Sequence, residues 1–309
     1  MTTRHLVDPE LLPLADSFPP MDLSADALPA MRAGMKQVLA AQPLPDLPVE
    51  CRDVFITAAD PERIVRCLAI QPRHMPKGAP AILYFHGGGH VLGMPEMSQP
   101  QLMQWADRLK CLVLSVDYRL APETPFPGPM DDAYAALRWL HEKATELQID
   151  RNRIAVGGES AGGAMAASLS LMARDRGEFA IAFQLLEMPR LSDQLPNSPN
   201  PTTGEFIWRA QDSEFCRAAY LRSSTSPYAS AARASDLARL PPAYIMVGAL
   251  DLFVDECLDY AGRLVRAGVP VELVVYPGCF HGFRMAKDAA VTKRANEDSL
   301  SALHRAFSL

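Results

Sequence analysis

Short, strand-like apolar segments recur along most of the chain, at residues 81–85, 112–116, 154–156, 183–186, 244–247 and 271–276. Each is of strand length, and a run that is apolar on both faces suits a strand buried on both sides. Between them lie segments long enough for helices, around 99–109, 131–147, 162–174 and 255–267. Strands alternating with helices in this way predict a parallel sheet covered on both faces. Two further strand-like segments, 54–57 and 64–70, precede the alternation, separated by the turn-forming Ala58-Ala59-Asp60-Pro61. They predict an antiparallel hairpin at one sheet edge. The pattern is therefore that of an α/β chain with a mostly parallel, eight-stranded sheet.

Outside the alternation the pattern changes twice. Residues 1–50 are rich in Pro and Leu, lack strand-like alternation, and carry a helical pattern at 25–41 through Ala27, Leu28, Met31, Met35, Val38 and Leu39. They predict a helical cap segment in front of a main domain spanning 51–309. From about 189 to 240 the alternation lapses into Asn, Ser and Pro with a short aromatic-bearing segment (Phe206, Trp208, Phe215, Tyr220), which predicts an insertion. Ligands of open α/β sheets bind beyond the carboxyl ends of the strands, where such an insertion can form a roof.

A length of 309 residues, 49% of them hydrophobic and 21% charged, suits one α/β core with additions better than two independent domains. The formal charge of −6 is spread over mixed-sign segments, and no Lys/Arg cluster could follow a phosphate backbone, so nucleic acid is not an expected partner. Every apolar run falls far short of the ~20 residues a bilayer span needs, so no membrane span is expected. Residues 1–20 intersperse Arg4, Asp8 and Glu10 among Leu and Pro and lack the apolar core of a signal peptide. Six cysteines (Cys51, Cys67, Cys111, Cys216, Cys257, Cys279) show no CxxC spacing and read as reduced thiols, which points to the cytoplasm. No His/Cys/Asp cluster occurs at ligand spacing, so neither a metal nor another cofactor is expected.

Candidate chemistry lies at the carboxyl ends of the predicted strands. Residues 153–163 read RIAVGGESAGG, which places Ser160 in Gly-Glu-Ser-Ala-Gly between an apolar strand and an alanine-rich helix. A serine exposed on a tight strand-to-helix turn needs small residues two positions before and after it, because the backbone there approaches neighbouring strands. His86-Gly87-Gly88-Gly89 follows the run at 81–85. Glycines there let backbone N–H groups approach a developing alkoxide, which nominates Gly88 and Gly89, with Ala161, as an oxyanion hole. His86 comes too early in the chain to be the base of a Ser, acid, His order and is expected to order the loop instead. His281 follows the run at 271–276 through Pro277-Gly278 and is the candidate base, whereas His304 reads as a surface residue of a terminal helix. Asp251, just after the run at 244–247, is the candidate acid, with Asp255 and Glu256 as competitors that fit a helix N-terminus.

Together HGGG at 86–89, DYRLAPE at 117–123, GESAGG at 158–163 and HGF at 281–283 resemble, in order and spacing, the bacterial hormone-sensitive lipase-like esterases, from about residue 50 to the end. The resemblance implies an α/β-hydrolase fold with a helical cap, and a carboxylesterase acting on a small-molecule ester. It also implies the oxyanion roles given above, and Asp251 stands where that family has its acid. Members often pair through the last strand, which makes a homodimer a candidate assembly. Asp117, Arg119 and Glu123 read as ion-pair and turn residues, with Asp131 or Asp132 as partners. Two departures stand out: Glu159 precedes the nucleophile where Asp or Thr is commoner, and LLEMPRLSD at 185–193 carries Glu187 and Arg190 where a Tyr-Pro pair is usual. A lactonase, amidase or dehydratase on the same triad remains open, as does a non-catalytic small-molecule receptor, although such receptors lose the histidine base. Short-chain acyl esters are expected, since nothing indicates the large lid of an interfacial lipase.

Overall fold

The structure is a computed structural model that describes residues 2–58, 63–194 and 200–308. Among these residues eight strands form one sheet: β1 (Val49–Thr57), β2 (Ile64–Pro72), β3 (Ala79–Phe85), β4 (Leu112–Val116), β5 (Ile149–Glu159), β6 (Phe183–Glu187), β7 (Ala243–Gly248) and β8 (Val271–Tyr276). Their spatial order is β1-β2-β4-β3-β5-β6-β7-β8. β1 pairs antiparallel with β2, and β2 antiparallel with β4, while every later neighbour is parallel. This is an α/β-hydrolase fold, a parallel sheet as the alternation predicts and the fold that the family resemblance implies. The turn at Ala59, Asp60 and Pro61 lies outside the described residues, and so do 195–199 of the insertion.

The apolar runs explain the core. β3, β4, β6 and β7 are buried along their whole length, because each reads apolar on both faces and helices cover both. Around the sheet stand α1 (Leu12–Ser17), α2 (Leu28–Ala41), α3 (Gln99–Leu109), α4 (Gly128–Glu142), α5 (Ala161–Arg176), α6 (Ala210–Leu221), α7 (Val254–Arg266) and α8 (Ala290–Ser308). α5 is buried from Ala161 to Ala173, and its Ala, Gly and Ser residues let it lie close against β5 and β6.

Several boundaries differ from the pattern reading. α4 ends at Glu142, not 147, and β5 starts at Ile149, five residues before the apolar run. The added residues, Asp150 to Arg153, are polar and partly exposed, so periodicity hides a strand that only its pairing with β3 defines. α6 was not legible at all. It buries only Asp212, Cys216, Tyr220 and Leu221, and it starts where Asp212 accepts the Arg209 N–H at 3.2 Å.

The N-terminal segment is fastened to loops at the carboxyl end of the sheet. The Arg32 side chain of α2 donates to the carbonyls of Val91 and Ala121, each at 2.8 Å, and pairs with Glu123. The Asp8 N–H donates to Gly278 O at 3.0 Å, just ahead of the segment that carries His281.

Candidate active site

Ser160 sits at the sharp turn from β5 into α5 with φ 56° and ψ −116°, a strained backbone for a residue with a Cβ. Neighbouring chain holds it there: the Ser160 N–H donates to Glu187 O at 2.9 Å, and Ser160 O accepts the Arg190 N–H at 3.2 Å. A Cβ added at Gly162 would stand 2.0 Å from Phe85 O, and one at Gly158 would stand 2.4 Å from the Gly162 backbone. Both flanking glycines are therefore demanded by the approach of β3 and of the turn to itself.

Three loops meet at this turn. Ser160 Oγ lies 2.9 Å from His281 Nε2, and His281 Nδ1 lies 2.8 Å from Asp251 Oδ2. With the ring proton on Nδ1, that nitrogen donates to the carboxylate and Nε2 is left to accept from the serine hydroxyl. Asp251 is fully buried, and its Oδ1 accepts the Phe253 N–H at 2.9 Å, which fixes the carboxylate. The competing acids are elsewhere: Asp255 is exposed, and Glu256 Oε1 accepts the Leu191 N–H at 2.6 Å. His304 is exposed on α8. Phe253 stands edge-on to the His281 ring at 5.0 Å and Trp208 of the insertion lies 5.9 Å away, so aromatic walls flank the imidazole.

The His86–Gly89 segment runs beside the serine, with the Cβ position of Gly87 3.6 Å from Ser160 Cβ. Gly88 has φ 111°, and a side chain there would meet Leu92 O at 2.3 Å. A Cβ on Gly89 would meet Cys216 Sγ and Trp208 at 2.6 and 2.7 Å, so these two side chains pack directly on the loop. Among the described residues the Gly88 and Gly89 amides donate to no backbone acceptor. Ala161 is the first residue of α5, so its N–H has no partner a turn back. These amides, at a helix N-terminus, can stabilise an oxyanion.

His86 is fully buried; its Nδ1–H donates to Gly87 O at 2.8 Å, its ring stacks on Tyr118 at 4.1 Å, and Tyr118 OH donates to His86 O at 2.8 Å. Burial pushes its imidazole down to about 4. His90, one residue past the glycines and stacked on Tyr220 at 3.8 Å, is also held well below the ordinary histidine range, by burial and then by Arg190. A pKa depressed in the folded state gives stability that is complete above ~6.5 and is lost as pH falls through the folded value. Urea midpoints should therefore fall as pH is lowered from 7 toward 4.5, and less steeply in a His90→Phe variant. Parallel slopes in the two proteins would show that His90 contributes nothing to the loss.

Behind Ser160 lies a buried ionic cluster that periodicity could not assemble. Arg284, three residues past His281, donates to Glu187 Oε1 at 2.7 Å and Oε2 at 3.0 Å, and to Glu159 Oε2 at 2.5 Å. Tyr84 OH and Ser299 Oγ donate to the same Glu187 carboxylate at 3.1 and 2.9 Å. Burial works against the Arg284 charge, but Glu187 and Glu159 outweigh it and hold its pKa above the ordinary value. The two acids that break the family pattern are thus partners of one cation, which ties the elbow, β6 and the histidine loop together. Two lone acids at the ends of apolar strands were the available signal; Arg284 itself carried none.

The DYRLAPE residues form ion pairs away from the reacting groups: Asp117 with Arg66 at 3.2 Å, Arg119 with Asp132 at 2.9 Å, and Glu123 with Arg32 at 2.8 Å. Among the described residues no group of three or more His, Cys, Asp or Glu is arranged to hold a metal ion, and no helix is long and apolar enough to cross a membrane.

A family model described as alpha/beta hydrolase fold matches residues 82–285. The chain is 35% identical to carboxylesterase NlhH of Mycobacterium tuberculosis over 98% of this chain and 97% of that one. It is 37% identical to esterase LipI of the same organism, over 91% and 88% of the two chains. Among solved structures, a bacterial heroin esterase superposes with a TM-score of 0.92 at 39% identity, covering 99% of each chain. Esterase LipW from Mycobacterium marinum superposes with a TM-score of 0.90 at 32% identity, over 99% and 98%.

Proposed function

The chain belongs to the alpha/beta-hydrolase-fold family, among its carboxylesterases, and from that premise we propose that it cleaves short-chain carboxylic esters through an acyl-enzyme on Ser160. The observation that carries this reading is the unbroken chain from Ser160 Oγ through His281 to Asp251, at 2.9 and 2.8 Å, beside amides without acceptors. Ser160 Oγ attacks the ester carbonyl while His281 Nε2 takes its proton, and Asp251 holds the ring and stabilises its charged form. The carbonyl oxygen becomes an oxyanion that accepts hydrogen bonds from Gly88, Gly89 and Ala161. Collapse of this intermediate expels the alkoxide, which leaves as alcohol with the proton from His281. Water, activated by the same imidazole, then attacks the acyl-serine and releases the carboxylic acid and free Ser160.

The presence of the base speaks against a receptor built on the same scaffold, since binding alone has no use for a proton acceptor on the serine. Five of the six cysteines are buried and all are free, which supports a reducing compartment, the cytoplasm. β8 is paired on one side only among the described residues, which supports a homodimer formed at that edge.

A p-nitrophenyl ester series tests the reading together with an aryl phosphonate that phosphonylates active serines. Hydrolysis should be fastest for acetate to butyrate, and peptide mapping should place the phosphonyl group on Ser160 in step with loss of activity. A rate maximum at long acyl chains would refute the short-acyl assignment, and labelling elsewhere would refute the nucleophile.

A further inference from the structure

Arg190 follows β6, and its backbone N–H donates to Ser160 O at 3.2 Å. Its side chain is 5% exposed, and its buried Nε has no hydrogen-bond partner. The polar contact it makes is weak, from Nη2 to His90 Nδ1 at 3.4 Å. It lines a cavity of about 680 Å³ whose wall also includes Phe253, the ring that stands against His281.

Three other arginines line the same cavity, and each has an acid: Arg217 with Glu214 at 2.5 Å, Arg233 with Asp193 at 2.8 Å, and Arg263 with Asp259 at 3.8 Å. Arg190 has no ion-pair partner among the described residues, and residues 195–199, Leu-Pro-Asn-Ser-Pro, contain no acid in their sequence. The acid whose field reaches it is Glu256, which is committed to the Leu191 N–H, and burial pushes its carboxyl up to about 8. Glu256 makes no ion pair with Arg190, so among the described residues the guanidinium has no direct counter-ion. A guanidinium keeps its charge, so a carboxylate entering the cavity would find in Arg190 a cation whose donors no side-chain acid has claimed.

We propose that Arg190 binds a carboxylate carried by the substrate, so that the preferred esters are those of dicarboxylic acids or of hydroxy acids bearing a free carboxylate. A planar guanidinium can hold a carboxylate through two parallel N–H···O bonds, which gives orientation as well as attraction. This rests on the ester-hydrolysis reading and names the substrate class for the same site. It also gives a use to the residue that departs from the family pattern after β6.

Calorimetric titration of the Ser160→Ala protein separates binding from turnover. Monomethyl glutarate carries the carboxylate on the acyl side, 3-acetoxypropionate carries it on the alcohol side, and methyl pentanoate carries none. One of the charged esters should bind about tenfold or more tightly than the neutral one, the range of a charge-assisted hydrogen bond, and which one it is shows on which side Arg190 acts. Adding Arg190→Leu should erase the difference, and Arg190→Lys should restore part of it. Equal binding of charged and neutral esters would overturn the proposal whether or not the Arg190 variants fold, as would a preference that survives Arg190→Leu. Hydrolysis of p-nitrophenyl acetate by the protein with Ser160 intact reads the esterase activity separately, so failure of one is not mistaken for failure of the other.

Discussion

Ser160→Ala should lower kcat/KM for p-nitrophenyl acetate by roughly 10⁴- to 10⁶-fold while leaving the fold intact. The hydroxyl is the group lost; the amide that donates to Glu187 O and the carbonyl that accepts from Arg190 remain, so the turn stays pinned. His281→Ala should cost a similar factor, because a serine hydroxyl without its proton acceptor is a poor nucleophile. The double variant should be scarcely worse than either single one, since the two side chains act as one unit and the free amides of Gly88, Gly89 and Ala161 persist in all three. Asp251→Asn should also impair turnover, by loss of the carboxylate that accepts from Nδ1 at 2.8 Å. If Ser160→Ala kept a tenth of the wild-type rate, the nucleophile would have to be sought elsewhere.

Arg284→Met should destabilise the protein by about 3–5 kcal/mol, the usual effect of removing one partner from a buried ion pair. The reason lies in what remains: Glu187 is fully buried, and without the guanidinium its charge keeps only Tyr84 and Ser299 as donors. Unfolding by urea with an unchanged m-value would read this loss directly. The double variant Glu187→Gln/Arg284→Met should be less destabilised than Arg284→Met alone, because no orphaned charge is left. Activity should fall as well, since Glu187 O accepts the Ser160 N–H and Glu159 is the residue before the nucleophile. If the double variant were less stable than the single, the cation would be valuable for its packing and not for its charge.

Much of the molecule was legible in advance, and for physical reasons that differ between elements. Strands β3, β4, β6 and β7 are buried on both faces, so they are written as largely apolar runs, broken only by Ser115, Gln184 and Glu187. The elbow was legible because close backbone approach admits only glycine at 158 and 162, a demand that leaves a mark on the sequence. Other elements left no such mark. β5 extends through Asp150 to Arg153, where exposure permits polar residues, and α6 turns so narrow a face inward that its spacing resembled a loop. Arg66, Arg32 and Arg284 find acids far away in the chain, and nothing in local spacing records such partners.

The amino-acid sequence by itself determined the sheet, the order of Ser160, Asp251 and His281 at strand ends, and the glycines at 88, 89, 158 and 162, because each is imposed by local backbone geometry or by strand burial. Only the tertiary structure decided which carboxylate faces His281, how Glu159 and Glu187 share Arg284, and that Arg190 has no ion-pair partner among the described residues. Those outcomes depend on which side chains meet across 30 to 125 positions of chain, from Asp251 to His281 and from Glu159 to Arg284. Charge pairing acts through space, and the spacing of residues along the chain does not encode it.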